Sequence, residues 1–334
     1  MTPALPEIGL RLSGALDPRR CVALAAAADD ARLASVWFAE NPFQRGVLAA
    51  AGACAAMTKR VRIGVGVVNP YTRHPVQIAM DFAALDELSG GRVVLGVGSG
   101  IATPIARMGV VNDRPVTAVR ETIEIVRKLV AGESVTTGGR IFSFDGARLD
   151  FRPGRRLPIY MAAGSELALR TCGEIADGFV ISNMTPLRLA ARMIEIVAEA
   201  AAKAGRPRPR VVQYAPCAVG ADGDVARRAV KRTIGETLTL LWPAGDEWPK
   251  RREAVVAESG IPRPAFVAAL ARLRSGEDAT AVLDDHFVAA FAIAGTPNEC
   301  GEQAAFYRAA GVDELALSFN SAEEIALFGR SGGR

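Results

Sequence analysis

Histidine is nearly missing from this chain: His74 and His286 are the only two in 334 residues. Cysteine is sparse as well. Cys21, Cys54, Cys172, Cys217 and Cys300 lie far apart, with no CxxC spacing and no Cys/His pair. That pattern gives no metal-ligand set, and the odd count argues against a disulfide framework. Free thiols in a reducing cytoplasm are the expectation. Charge of one sign is not in excess. The 40 basic and 36 acidic residues leave a net +4, mixed along the chain, which calls for neither nucleic acid nor a membrane surface as partner. Long apolar runs are missing too. CVALAAAA stops at Asp29-Asp30 and FVAAFAIAG is short, whereas a membrane span needs about 20 such residues. MTPALPEIGL has no basic stretch followed by an apolar one, so no secretory signal is expected.

What is present is a globular balance, half apolar and 23% charged, in a chain long enough for two ordinary domains or one large α/β barrel. Short apolar runs alternate with helical patterns. Strands are expected at 8–12, 35–40, 61–68, 93–100, 158–164, 178–183, 211–220 and 314–319. Helices are expected from Asp17-Pro18 to about Leu33, over 43–58, from Pro75 to about Leu88, and over 116–131, 165–176, 186–204 and 222–240, with another starting at Thr296-Pro297. The stretch 133–151 carries Gly-Gly and Asp-Gly turn signals and reads as a small β excursion. Residues 241–285 lose strand character and read as a helical insertion before the last strand. RPRPR (206–210) is a stiff connector, and GRSGGR a frayed tail. Eight strands in strict alternation with helices predict an α/β fold, a (β/α)8 TIM barrel over residues 1–334 as a single domain. A doubly wound dinucleotide fold is the runner-up. The first strand, however, is followed by Ser13-Gly14-Ala15 and not by GxGxxG.

A barrel carries its active site at the C-terminal ends of its strands. Those ends read Glu40-Asn41, Asn69-Pro70-Tyr71, Gly98-Ser99-Gly100, Ala163-Gly164-Ser165 and Ser182-Asn183. The set is small, polar and rich in glycine, with no nucleophile–base pair, no metal-ligand cluster and no close carboxylate pair. It suits a cofactor that brings its own chemistry. Gly96, Gly98 and Gly100 with Ser99 form one candidate phosphate grip. Gly164-Ser165, opening a helix, forms another; tight βα turns are the alternative for both. Glu40, after Trp37-Phe38, is a candidate proton donor or the partner of a nearby arginine. His286 reads as a surface or capping residue. Between the prolines of VNPYTRHPVQ, Tyr71 and Arg73 could line a substrate, and His74 could cap the next helix.

Three stretches carry a family resemblance: VGVVNPYTRHPVQIAMDFAALDELSGGRVVLGVGSG, PIYMAAGSELALRTCGEIADGFVISN and AIAGTPNECGEQAAFYRAAGVDELAL. Together they resemble the bacterial-luciferase-like superfamily, and within it the coenzyme F-420-dependent branch that includes methylenetetrahydromethanopterin reductase. The resemblance spans about 7–220 and 290–320 and leaves 241–285 unmatched. It implies a (β/α)8 barrel, usually dimeric, with a deazaflavin or flavin across the C-terminal mouth. It also implies a strand bulge with a non-proline cis peptide behind the cofactor ring, which maps to Gly66-Val67. By the same resemblance Glu40 stands near the ring's reactive edge, and Asn41 stands where several relatives have histidine. Asn69 falls near the ring, and Gly98, Ser99, Gly100, Ala163, Gly164, Ser165 and Asn183 fall around the cofactor. Ile101 and Pro104 depart from the glutamate and asparagine of the sugar-phosphate-oxidising relatives.

The expected activity is F-420-dependent hydride transfer to or from an unidentified small organic molecule in a cytoplasmic homodimer. An FMN-dependent monooxygenase fed by a partner flavin reductase is the alternative, and a non-catalytic cofactor-binding barrel a third. Trp242, Trp248 and Phe266 of the insertion could line the substrate or simply pack its helices.

Overall fold

The computed structural model describes residues 5–242 and 248–331. Part of the N-terminal stretch, part of the insertion and the last residues of the GRSGGR tail lie outside them. In chain order the first elements are β1 (Glu7–Ser13), α1 (Pro18–Asp30), β2 (Ser35–Ala39), α2 (Val47–Met57), β3 (Arg62–Val68), α3 (Pro75–Ser89), β4 (Val93–Val97), α4 (Ala102–Arg107) and α5 (Pro115–Val130). Next come the hairpin β5 (Val135–Gly138) and β6 (Ser143–Ala147), then β7 (Ile159–Ala162), α6 (Glu166–Ile175), β8 (Gly178–Ile181) and α7 (Leu187–Lys203). The last part holds β9 (Arg210–Val219), α8 (Gly223–Leu241), α9 (Lys250–Glu258), α10 (Arg263–Arg274), α11 (Ala279–Val282), α12 (Asp285–Phe291), β10 (Ile293–Gly295), α13 (Pro297–Ala309), β11 (Glu314–Ser318) and α14 (Ala322–Ser331).

The main sheet runs β10-β9-β11-β1-β2-β3-β4-β7-β8, and β9 pairs with β8 as well. This is the closed eight-strand ring of a (β/α)8 barrel, with β10 as an extra strand parallel to β9. The helix starts follow their sequence signals. Asp17 accepts from Arg19 N ahead of Pro18, and Thr296 and Glu299 form a reciprocal capping box ahead of the α13 body. Three elements were not legible. β10 is three residues inside a continuous apolar run, without alternation to mark it. α4 is too short to show a period. α14 carries the chain through Gly329 to Ser331, where the composition had suggested a frayed tail.

Two compact units are distinguished, residues 10–180 with 196–210 and residues 1–9, 181–195 and 211–334. In the first, β2 is wholly buried, and its Trp37 pairs with Gly64 of β3. A Cβ on Gly64 would stand 2.4 Å from the indole, so glycine is what lets the ring lie flat on the neighbouring strand. The LDELSGGRV stretch is a stitch. Arg92 donates to Ser89 O, Thr58 Oγ1, Thr58 O, Val61 O and Ala55 O, tying the ends of α2 and α3 to the start of β3.

In the second unit, the insertion packs on an aromatic core. Trp242, Trp248, Phe266, Phe287 and Phe291 contact one another at 5.2–6.5 Å between ring centroids. All five are buried. Of the two roles open to Trp242, Trp248 and Phe266, packing is the one the structure shows.

Candidate active site

The β3–β4 pair builds the site. Its register shifts between Val65 and Val68, and the peptide Gly66-Val67 in that shift is cis, as the resemblance implied. The neighbouring strand makes room for the bulge. A Cβ on Gly96 would lie 2.9 Å from Gly66 Cα and 3.0 Å from Val65 O, and one on Gly98 would lie 2.8 Å from Val67 Cγ2. The alternating glycines of LGVGSG therefore answer the bulge across the ladder. Gly98 donates its N–H to Val68 O, so its contribution is space and not a ligand donor. Among the described residues, the N–H groups of Ser99 and Gly100 have no hydrogen-bond acceptor. Gly100 has φ +68, which turns the loop.

Asn69 is 5% exposed and directs its Oδ1 to the N–H groups of Tyr71 and Thr72. This Asx turn holds the loop through Oδ1, so Nδ2 is not used in it. His74 caps α3, accepting from Val76 N through Nδ1, and its ring touches Phe142 and Phe144 of the hairpin region. Tyr71 donates to Asp113 O at 2.6 Å, and burial raises its phenol pKa.

Glu40 follows β2 and is gripped by Arg73, with Nη2 on Oε1 at 2.7 Å. Asp81 of α3 stands 3.6 Å from the other side of the same guanidinium. Arg73 is thus shared by two carboxylates. Its pKa is raised, chiefly by the Glu40 hydrogen bonds. That of Asp81 is raised by burial, with Glu40 adding to the shift and Arg73 offsetting it. Asp81 had no signal in the sequence beyond lying eight residues after Arg73 on a helix.

Across the barrel strands, Ser165 is the N-cap of α6 and accepts from Ala168 N at 3.3 Å. Ala163 is buried and Gly164 half-buried just before it. Glu166 in the first turn of α6 is engaged by Arg170 at 2.7 Å. Asn41, Asn69, Gly98, Ser99, Gly100, Ala163, Gly164 and Ser165 all belong to the first unit, with Glu40 and the Gly66-Val67 bulge. Asn183 belongs to the second unit, in the turn after β8. His286 is a surface residue beside the N-cap Asp284 of α12. All five cysteines are buried and free. Burial holds the thiols of Cys54 and Cys300 up at about 12, which makes them inert. No single helix among the described residues is long and apolar enough to cross a membrane.

Known proteins resemble this chain in sequence and in fold. Residues 3–314 fit the family described as luciferase-like monooxygenase. The chain is 32% identical over 290 residues to the 5,10-methylenetetrahydromethanopterin reductase of Archaeoglobus fulgidus, covering 86% of each. It is 34% identical over 209 residues to an F420-dependent glucose-6-phosphate dehydrogenase of Beutenbergia cavernae, covering 60% of this chain and 62% of that one. The structure of the coenzyme F420-dependent tetrahydromethanopterin reductase from Methanopyrus kandleri superposes with a TM-score of 0.87 at 24% identity, over 98% of both chains. The chain belongs to the luciferase-like monooxygenase family and is an oxidoreductase.

Proposed function

We propose that this member of the luciferase-like family is an F-420-dependent oxidoreductase that exchanges a hydride with a small organic molecule. The observation that carries the reading is the coupled geometry of β3 and β4. The Gly66-Val67 bulge is backed by two glycines that leave it room, with Asn69 fixed immediately beyond it. The residues present fit the cofactor. Among the described residues, Ser99 and Gly100 have N–H groups without acceptors, and α6 opens with its N-terminus at Ser165. Both are donors suited to the tail phosphate. The Nδ2 of Asn69 would donate to the ring system, and Gly66-Val67 would back it. Glu40, held in place by Arg73, would set the charge beside the ring's edge or relay a proton there. When bound, the deazaflavin supplies the hydride chemistry; the chain positions it and excludes water.

Two curated relatives named for F-420-dependent or methylenetetrahydromethanopterin chemistry support this cofactor over FMN. The family's description as a monooxygenase supports the alternative of an FMN enzyme fed by a separate flavin reductase. Ile101 and Pro104 give a site more apolar than the sugar-phosphate dehydrogenases are expected to need, which supports a different substrate.

A cytoplasmic homodimer is part of the same reading. The α2 sequence VLAAAGACAAM contains no charged side chain, yet Ala49, Ala53, Ala56 and Met57 are exposed. Met80 and Leu88 of the adjacent α3 are 49% and 54% exposed. The uncharged outer face of α2, with Met80 and Leu88 of α3 beside it, suits packing against a second copy.

The test is titration of the purified protein with F-420 and, separately, with FMN, followed by fluorescence. Saturable F-420 binding that weakens in Ser99→Glu and Gly164→Asp supports the reading. Tight FMN binding with no F-420 affinity would replace it with the monooxygenase.

A further inference from the structure

Phe43 breaks two rules at once. It is a large aromatic that is 64% exposed, and it holds φ +66, a backbone region that side chains with a Cβ rarely adopt. The local reason is a turn. Gln44 N donates to Asn41 O at 3.3 Å, and Pro42 occupies the second position of the four-residue turn Asn41-Pro42-Phe43-Gln44. A turn with proline second and a positive φ third ordinarily takes glycine or asparagine at that third place. Here the chain has a phenylalanine instead, and its ring is not in the core. A strained residue with an exposed ring points to a surface role for that ring.

Its one ring partner among the described residues is Arg107, whose guanidinium carbon lies 4.9 Å from the ring centroid. Arg107 is the last residue of α4 and has no carboxylate partner among the described residues. The position of this contact follows from the sheet order. Phe43 lies in the loop after β2 and Arg107 after β4, while β3 pairs with both strands. The contact therefore joins the two loops that follow the strands on either side of β3, the strand that carries Gly66-Val67 and leads to Asn69. Ile101 and Met108, at either end of α4, are also 43% and 44% exposed. The strap is thus apolar and aromatic, capped by one guanidinium.

We propose that Phe43 is the stacking surface for a planar conjugated ring bound at the end of β3, and that Arg107 latches the Phe43 loop over it. Phe43 offers one face to Arg107 and the other to the ligand. The ring is supplied by the substrate or by the cofactor itself, and both present the same chemistry to Phe43. Only the cofactor arm of the test rests on the F-420 reading.

The experiment uses the full chain with Phe43→Gly, Phe43→Trp and Arg107→Met. The first readout is thermal stability. A ring kept for binding at a strained position predicts that Phe43→Gly holds Tm or raises it by about 1–3 °C. A fall of more than about 4 °C would mean that the ring is structural and would overturn the proposal. The second readout is binding, by fluorescence titration with F-420 and by calorimetry with menadione, a planar conjugated diketone, with and without F-420 present. Phe43→Gly should weaken one of the two by about 3–10-fold, the scale of one aromatic stack, and Phe43→Trp should restore it. Loss in the F-420 arm assigns the ring to the cofactor, and loss in the menadione arm assigns it to the substrate. Unchanged affinity in both arms overturns the proposal while leaving the cofactor reading intact. Wild-type protein that binds neither F-420 nor FMN ends the cofactor reading, and the menadione arm on the isolated protein then decides the stacking role. Wild-type protein that binds no planar probe overturns both.

Discussion

Arg73 holds Glu40 with Nη2 at 2.7 Å from Oε1 and Nε at 3.3 Å from both carboxylate oxygens. This pairing decides what Glu40 can be. A carboxylate gripped by a guanidinium is fixed in direction. Both side chains are mostly sheltered, at 19% and 15% exposure, so removing Arg73 strands Glu40, whereas Arg73 keeps Asp81 if Glu40 is removed. Arg73→Met should cost about 2 kcal/mol, between the surface and buried limits for such pairs. Glu40→Gln combined with Arg73→Met should cost less than the sum of the single changes. Urea denaturation of the four proteins measures this, and additivity would show that the pair is uncoupled.

Gly96→Ala tests the bulge's need for space. The new methyl would meet Gly66 Cα at 2.9 Å and Val65 O at 3.0 Å, both backbone atoms. The expected cost is about 1–3 kcal/mol, with a matching loss of F-420 affinity because the β3 bulge must shift. A variant of wild-type stability and affinity would show that β3 and β4 are not coupled in this way.

Acid should loosen the α13 cap. Glu299 accepts from Thr296 N and Thr296 Oγ1 and pairs with Arg227, and these hold its pKa down at about 2 from 4.5. A folded pKa below the unfolded one gives stability that is fully present above the unfolded value and lost as pH falls through the folded one. The cap's contribution should therefore fade between about pH 4.5 and pH 2. Glu299→Gln should be less stable than wild type at neutral pH and converge on it in acid. Parallel Tm–pH curves for the two proteins would contradict the assignment.

The α2–α3 face makes its own forecast. Ala53→Glu puts a charge on an exposed, apolar position without touching the core. If that face joins two copies, the variant should run as a monomer in light scattering while wild type runs as a dimer. Identical masses for the two would remove the face from the interface.

The sequence made the barrel legible because alternation, caps and turn residues agree locally. Asp17-Pro18, His74-Pro75 and Thr296-Pro297 all start helices where they were expected to. The Gly66-Val67 cis peptide was reachable only through family resemblance, since nothing in GVGVV distinguishes it from an ordinary strand. The fit of Gly96 and Gly98 to that bulge needs the strand register, which composition does not carry. Gly98 had read as a phosphate donor, but its N–H is used in the ladder with Val68. Phe43 did leave a trace. Pro42 followed by a phenylalanine and not a glycine is a turn signal with the wrong third residue, and only the exposed ring and its φ show why that matters. Asp81 reaches Arg73 through helix placement, and Arg107 reaches Phe43 through the meeting of two loops, which are tertiary facts.

The structure of the F-420 complex tests the central claim most directly. The account predicts the cofactor ring against Gly66-Val67, with Asn69 Nδ2 within hydrogen-bond distance of it. It also predicts the tail phosphate on the N–H groups of Ser99–Gly100 and the α6 N-terminus at Ser165. Density for the phosphate away from both loops, or for the ring away from the β3 bulge, would contradict it.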